Sequence, residues 1–166
     1  QFARELGIPL KLARCIGAIT WDASAVSTAL VAGSVSSTTF SHTVAAGGAN
    51  RAIFVGANYS DANASVSGMT YATVALTSAV SQFDSAANNG RNQISYLVAP
   101  STGANDVVVS YSQATVSGDR GGIGAISYTG VLQSGTIGIT GTNTSGGTGV
   151  VSIDITFTTQ TANSWL

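Results

Sequence analysis

From Gly17 onward the chain is written in short runs that alternate apolar and polar residues, separated by turn-forming clusters. Side chains of a strand point alternately to opposite faces, so a period of two predicts strands half buried in a sheet. Ser37–Val44 is such a run, with Phe40, His42 and Val44 on one face and Thr39, Ser41 and Thr43 on the other. Val150–Thr158 repeats the pattern, with Val151, Ile153, Ile155 and Phe157 opposite Ser152, Asp154, Thr156 and Thr158. Arg51–Asn58 is apolar on both faces, which predicts a central strand. Further strands are expected at Ile19–Trp21, Met69–Leu76, Asn92–Val98, Asp106–Ser112, Ile123–Thr129 and Thr136–Thr140, while Ala23–Ala32 is ambiguous. Gly47-Gly48-Ala49-Asn50, Asn88-Asn89-Gly90, Pro100-Ser101-Thr102-Gly103, Ser117-Gly118-Asp119 and Ser145-Gly146-Gly147 supply the turns. Strands and turns without interleaved helices predict an all-β antiparallel sandwich or barrel.

Residues 1–16 read differently. Phe2, Leu6, Leu10, Leu12 and Ile16 have helix-compatible spacing broken at Pro9, and this segment holds the chain's single lysine, glutamate and cysteine. It is expected to be a non-β leader or connector ahead of a sandwich domain at 17–166. The apolar end at Trp165-Leu166 suggests a sandwich truncated at its C-terminal end.

Composition narrows the setting. At 166 residues the chain has the size of one domain. Only 8% of it is charged, against about 25% in ordinary soluble domains. The net charge is −1, and Arg51, Arg91 and Arg120 are the cations after residue 16, so no basic surface for nucleic acid is expected. No apolar run approaches the roughly 18 residues of a membrane helix, so no membrane insertion is expected. One cysteine cannot build a disulfide framework or a Cys-rich zinc site. Ser, Thr, Asn and 20 glycines cover the surface instead of Lys and Glu. A surface with so little charge favours association. Drift in the composition of a soluble monomer is the plainer account of the same numbers.

Several segments in order carry a resemblance. They are Thr39–Val44 followed by a glycine-rich turn and Asn50–Gly56, then Gly68–Tyr71, Ile94–Pro100 and Ala125–Val131. Together, over roughly residues 17–166, they resemble a jelly-roll-like β-sandwich domain of bacteriophage virion and tail-fibre proteins and of bacterial surface proteins. The resemblance implies a sandwich of jelly-roll type at a virion surface or outside the cell. It brings no catalytic residues.

Candidate chemistry is sparse. His42 is the single histidine, and its place beside Phe40 and Val44 predicts a packed ring bonded to backbone or to a neighbouring hydroxyl, not a catalytic base. Gly118-Asp119-Arg120-Gly121-Gly122 imitates a serine-protease loop, but an arginine stands where the nucleophile belongs. Gly121-Gly122-Ile123-Gly124 leads into a strand, so close strand packing explains it better than dinucleotide binding. The loop aspartates lack calcium-site spacing, and no catalytic, cofactor or metal residue is expected. Tyr59 and Asp61, in the polar stretch Asn58-Tyr59-Ser60-Asp61, are the candidate glycan contacts, a ring to stack on a sugar beside a hydrogen-bonding acid.

The expectation is therefore a non-enzymatic structural module of a virion or extracellular surface assembly, contributing decoration, fibre or shell contacts. Its partners would be other copies of itself or other virion or surface proteins. The alternative is a carbohydrate-binding or adhesin module of a phage fibre or secreted bacterial protein.

Overall fold

The computed structural model describes residues 19–26, 34–61, 63–84, 90–115 and 121–134. The leader, Cys15, Asp119, Arg120 and the runs expected at Thr136–Thr140 and Val150–Thr158 lie outside them. The described residues form nine strands and no helix: β1 (Thr20–Val26), β2 (Ser37–Val44), β3 (Ala52–Ser60), β4 (Val66–Tyr71), β5 (Val74–Ala75), β6 (Thr77–Asp84), β7 (Gly90–Val98), β8 (Gly103–Tyr111) and β9 (Gly121–Thr129). They pair antiparallel into a five-stranded sheet, β1-β9-β3-β7-β6, and a four-stranded sheet, β2-β8-β4-β5. The two sheets pack as a β-sandwich. Apart from the hairpins β4–β5 and β6–β7, each connection between described strands carries the chain from one sheet to the other.

The alternation in β2 is realised residue by residue, with His42 and Val44 buried and Ser41 and Thr43 exposed. The doubly apolar β3 is the middle strand of its sheet. Its Ile53, Val55, Ala57 and Tyr59 meet Val44, Met69, Tyr71, Val107, Val109 and Tyr111 from the other sheet in one core cluster. Gly121 is held by close approach, as its sequence context suggested. A Cβ there would lie 2.2 Å from the Asn58 carbonyl oxygen and 2.6 Å from the Tyr59 Cα. Gly122 is different: among the described residues nothing lies within 4 Å of its Cβ position, so packing against them does not require that glycine.

Two elements depart from expectation. Met69–Leu76 is not one strand but the hairpin β4–β5, turned at Ala72-Thr73, where both residues have positive φ (49° and 67°). That geometry is usually given to Asn-Gly, and Ala-Thr gives no sequence sign of it. The left-handed conformation costs an L-residue about 1–2 kcal/mol, and a β-branched side chain is least suited to it. Thr73→Gly relieves that strain and restores about 0.5–1 kcal/mol of glycine chain entropy to the unfolded state. A net gain of about 0.5–1 kcal/mol in unfolding free energy is expected from urea denaturation. The second departure is β6, which no apolar run announces and which forms an edge of the five-stranded sheet.

Candidate functional site

Three places deserve comparison: a buried polar chain between the sheets, the corner around Tyr59, and the outer face of the five-stranded sheet.

The polar chain begins at a bulge. In β1 the register steps from Trp21↔Tyr128 to Ala23↔Ser127, which leaves Asp22 as a surplus residue. Bulges re-aim side chains. Here the Asp22 carboxylate reaches the Ser127 hydroxyl, 2.7 Å away, and also accepts the backbone N–H of Ala45. Ser127 Oγ lies 3.0 Å from His42 Nε2, across the sandwich on β2. A serine has one proton to give. Donated to the carboxylate, it leaves Oγ to accept from a protonated Nε2, so the order is His42 N–H to Ser127 O–H to Asp22. Activation of a serine nucleophile needs the opposite, a bare imidazole nitrogen taking the serine proton. Both side chains are also sealed, Ser127 at 0% and His42 at 1% exposure.

The protonation order leaves His42 Nδ1 as a buried acceptor with no hydrogen-bond partner in the structure. Burial pushes the imidazole below its ordinary value of 6.5, against the attraction of Asp22. The edge of the ring meets Tyr71 at 6.2 Å. The Tyr71 hydroxyl in turn donates to the Gly103 carbonyl and accepts from Asn105. The packed, hydroxyl-bonded histidine read from the sequence is what the structure contains, and its role is to pin the two sheets together.

The corner around Tyr59 corrects an expectation. Tyr59 does not present a ring to solvent: it lies within β3, one inward step beyond Ala57, and is 2% exposed. Its ring packs edge-on against Tyr111 at 5.4 Å, and its hydroxyl donates to the Ala64 carbonyl. Desolvation pushes the phenol up to about 12. Asp61 is likewise buried, its Oδ1 accepting the N–H groups of Asn63 and Ala64 to close a turn. The Asp61 carbonyl accepts from Arg91 Nε, whose guanidinium sits 4.0 Å over the Phe83 ring. The cleft beside these residues measures about 40 Å³. That is the space of roughly one water and far short of a pyranose. The two candidate contacts are near neighbours, but both are used by the fold.

The outer face of the five-stranded sheet is the remaining place. Register sets its outward positions in rows across the strands. Trp21, Tyr128, Ala52 and Val98 form one row, and Ser24, Ile126, Phe54, Tyr96 and Thr77 the next. Phe54 stacks on Tyr96 and meets Tyr128 edge-on, each at 6.2 Å. The third row carries Gly124, Gly56, Ile94 and Val80, and the fourth Gly122, Asn58, Asn92 and Gln82. Trp21 is 61% and Ile94 45% exposed. No outward position of β1, β9, β3 or β7 holds a charged residue. The outer face of the four-stranded sheet is the reverse, with Ser37, Thr39, Ser41, Thr43 and Asp106 exposed.

No family model, curated protein or solved structure matches this chain.

The site must therefore be judged on its own chemistry, and the apolar outer face stands out. Sequence reading missed it as a surface, although the doubly apolar Arg51–Asn58 carried half the signal. It also missed Ser127 and Asp22 as partners of His42. Nothing local marks them, since 85 residues separate His42 from Ser127 and 105 separate Ser127 from Asp22.

Proposed function

We propose that this chain is a non-enzymatic structural module of a virion or extracellular surface assembly, working through contacts with copies of itself or with other proteins of that assembly. The observation that carries the reading is the uncharged, aromatic outer face of the β1-β9-β3-β7 strands. Antiparallel sheets ordinarily turn one face to the core and a polar face to water. Here part of the second face of the five-stranded sheet, around Trp21, Phe54, Tyr96, Ile126 and Tyr128, is apolar as well, which fits a face covered in an assembly. Sparse charge agrees, since nothing holds copies apart. The non-enzymatic part draws on the sealed histidine and on its proton order. The jelly-roll type draws on strand order: without β6, the orders β1-β9-β3-β7 and β2-β8-β4-β5 are those of eight strands wound as two Greek keys. Multi-angle light scattering tests the reading. The purified chain is expected to run as two or more copies at micromolar concentration, and a monomer at its highest soluble concentration overturns it.

A second reading, a carbohydrate-binding module, is favoured by Trp21, a flat exposed ring of the kind that Tyr59 is not. Retention of the folded protein on immobilised polysaccharide, lost on Trp21→Ala, would decide for it.

A further inference from the structure

The outer face of the five-stranded sheet is built in two unequal halves, and the halves match each other. On β9 the outward residues run Gly122, Gly124, Ile126, Tyr128, and on the antiparallel neighbour β3 the same rows run Asn58, Gly56, Phe54, Ala52. Two rows are bulky. The other two, on these central strands, hold three glycines and one asparagine. Aromatic side chains thus stand as a ridge beside a trough one side chain deep. Among the described residues nothing lies within 4 Å of a Cβ position at Gly56 or Gly122, so neither the described neighbouring strands nor the described core explain these glycines.

Resting on the assembly reading above, we infer that this face is a two-fold contact with a second copy of the chain, the ridge of each protomer seated in the trough of its partner. The dyad runs across the strands, between the row of Phe54 and the row of Gly56. Rotation about it reverses strand direction but keeps each strand over its own counterpart. It therefore places Phe54 of one protomer over Gly56 of its partner and Ile126 over Gly124. On β7 it places Tyr96 over the half-exposed Ile94. At the end of the trough the Asn58 side-chain N–H donates to Asn92 Oδ1 on β7, which satisfies one donor and one acceptor of this pair within the protomer. An isologous contact needs a self-complementary surface, and this arrangement supplies one in shape.

Charge and area agree. Identical copies bring identical charges together, and like charges across an interface repel. The outward positions of β1, β9, β3 and β7 carry none. The four strands β1, β9, β3 and β7, spaced about 4.8 Å apart and each of seven to nine residues at about 3.3 Å per residue, make a face of roughly 550 Å². Two such faces bury roughly 1,100 Å², just above the roughly 1,000 Å² that a specific interface needs. Stacked sheets pack about 10 Å apart and within about 30° of parallel, which permits the overlay.

Sedimentation equilibrium on Gly56→Arg, Gly122→Arg and Ser41→Arg tests the contact. The first two fill the trough from open positions that the folded monomer leaves unobstructed. Ser41→Arg adds the same charge to the outer face of the other sheet. The trough variants are expected to weaken dimerisation at least 100-fold with circular dichroism and melting unchanged, and Ser41→Arg to leave it unaltered. Dimers that survive both trough variants overturn the contact while the assembly reading stands, with association assigned to sheet edges. A monomeric parent chain overturns both. A monomer that is retained on polysaccharide, and released by Gly56→Arg, assigns the face to carbohydrate instead. Unfolding of both trough variants overturns the contact too, since it means the chain covers this face itself.

Discussion

Tyr59→Ala is expected to lower unfolding free energy by about 3–5 kcal/mol, the cost of emptying a large aromatic site in a core. The ring is 2% exposed and packs against Tyr111, with strand partners on both sides of β3 to hold its shape, so the site has little room to collapse. Tyr59→Phe keeps the ring and loses one hydrogen bond to the Ala64 carbonyl, an expected cost of about 0.5–1.5 kcal/mol. Urea denaturation of the pair separates the roles. A ring serving as an exposed sugar platform would leave stability unchanged in both variants, and that result would return Tyr59 to the surface. The same burial predicts an alkaline limb. A phenol held at about 12 in the fold and near 10 when unfolded binds more protons in the folded state between those values. Stability present below pH 10 is therefore lost as pH rises from 10 towards 12, and Tyr111, also raised by desolvation, adds to it.

Ser127→Ala is expected to cost about 1–3 kcal/mol, because it strands the buried His42 N–H while the half-buried Asp22 can turn to water. The cost is larger than that of an ordinary hydrogen bond because the histidine has no second route to satisfaction. Acid makes the same point from the other side. Burial lowers the His42 pKa in the fold, so below the ordinary 6.5 the unfolded chain takes up the proton first. Stability is complete above pH 6.5 and falls as pH drops through that value. The charged groups bearing on the ring are few: Asp22 through Ser127, with the aromatic edge of Tyr71 beside it. His42→Gln, which cannot titrate, is expected to flatten this limb in thermal melts between pH 7 and 5. An unchanged limb would mean that other groups set the acid response.

Where the sequence was readable, a single strand carried its own evidence. Phe40, His42 and Val44 could be placed inward because alternation in β2 is uninterrupted, and β3 could be placed centrally because both its faces are apolar. Where a strand is polar or broken the reading failed. Thr77–Asp84 was invisible because a register shift between Ser78 and Val80 interrupts its period of two, and its inward residues include Ser78 and Ser81. The β4–β5 turn was invisible because alanine and threonine occupy left-handed positions that they rarely take. Tyr59 was misplaced because β3 runs on past Asn58 to Ser60, so a residue taken for loop became core. The rows on the outer face, and the chain from His42 to Asp22, depend on which strands pair and in what register. Alternation in one strand carries no information about its neighbour's offset.

The bulge in β1 has a bearing on how this fold tolerates changes in length. A residue gained or lost within a regular ladder turns every following side chain to the opposite face. Asp22 is already outside the count: Trp21 pairs with Tyr128 and Ala23 with Ser127, neighbours on the partner strand. The strand would keep its phase without it, with Trp21 still outward and Ala23 still inward. The acid that receives the serine proton is thus an interior residue of β1 whose loss leaves the pattern of the sheet intact, so its link to the Ala45 N–H beyond β2 can be removed while His42 still bonds Ser127 and the outer face keeps its spelling.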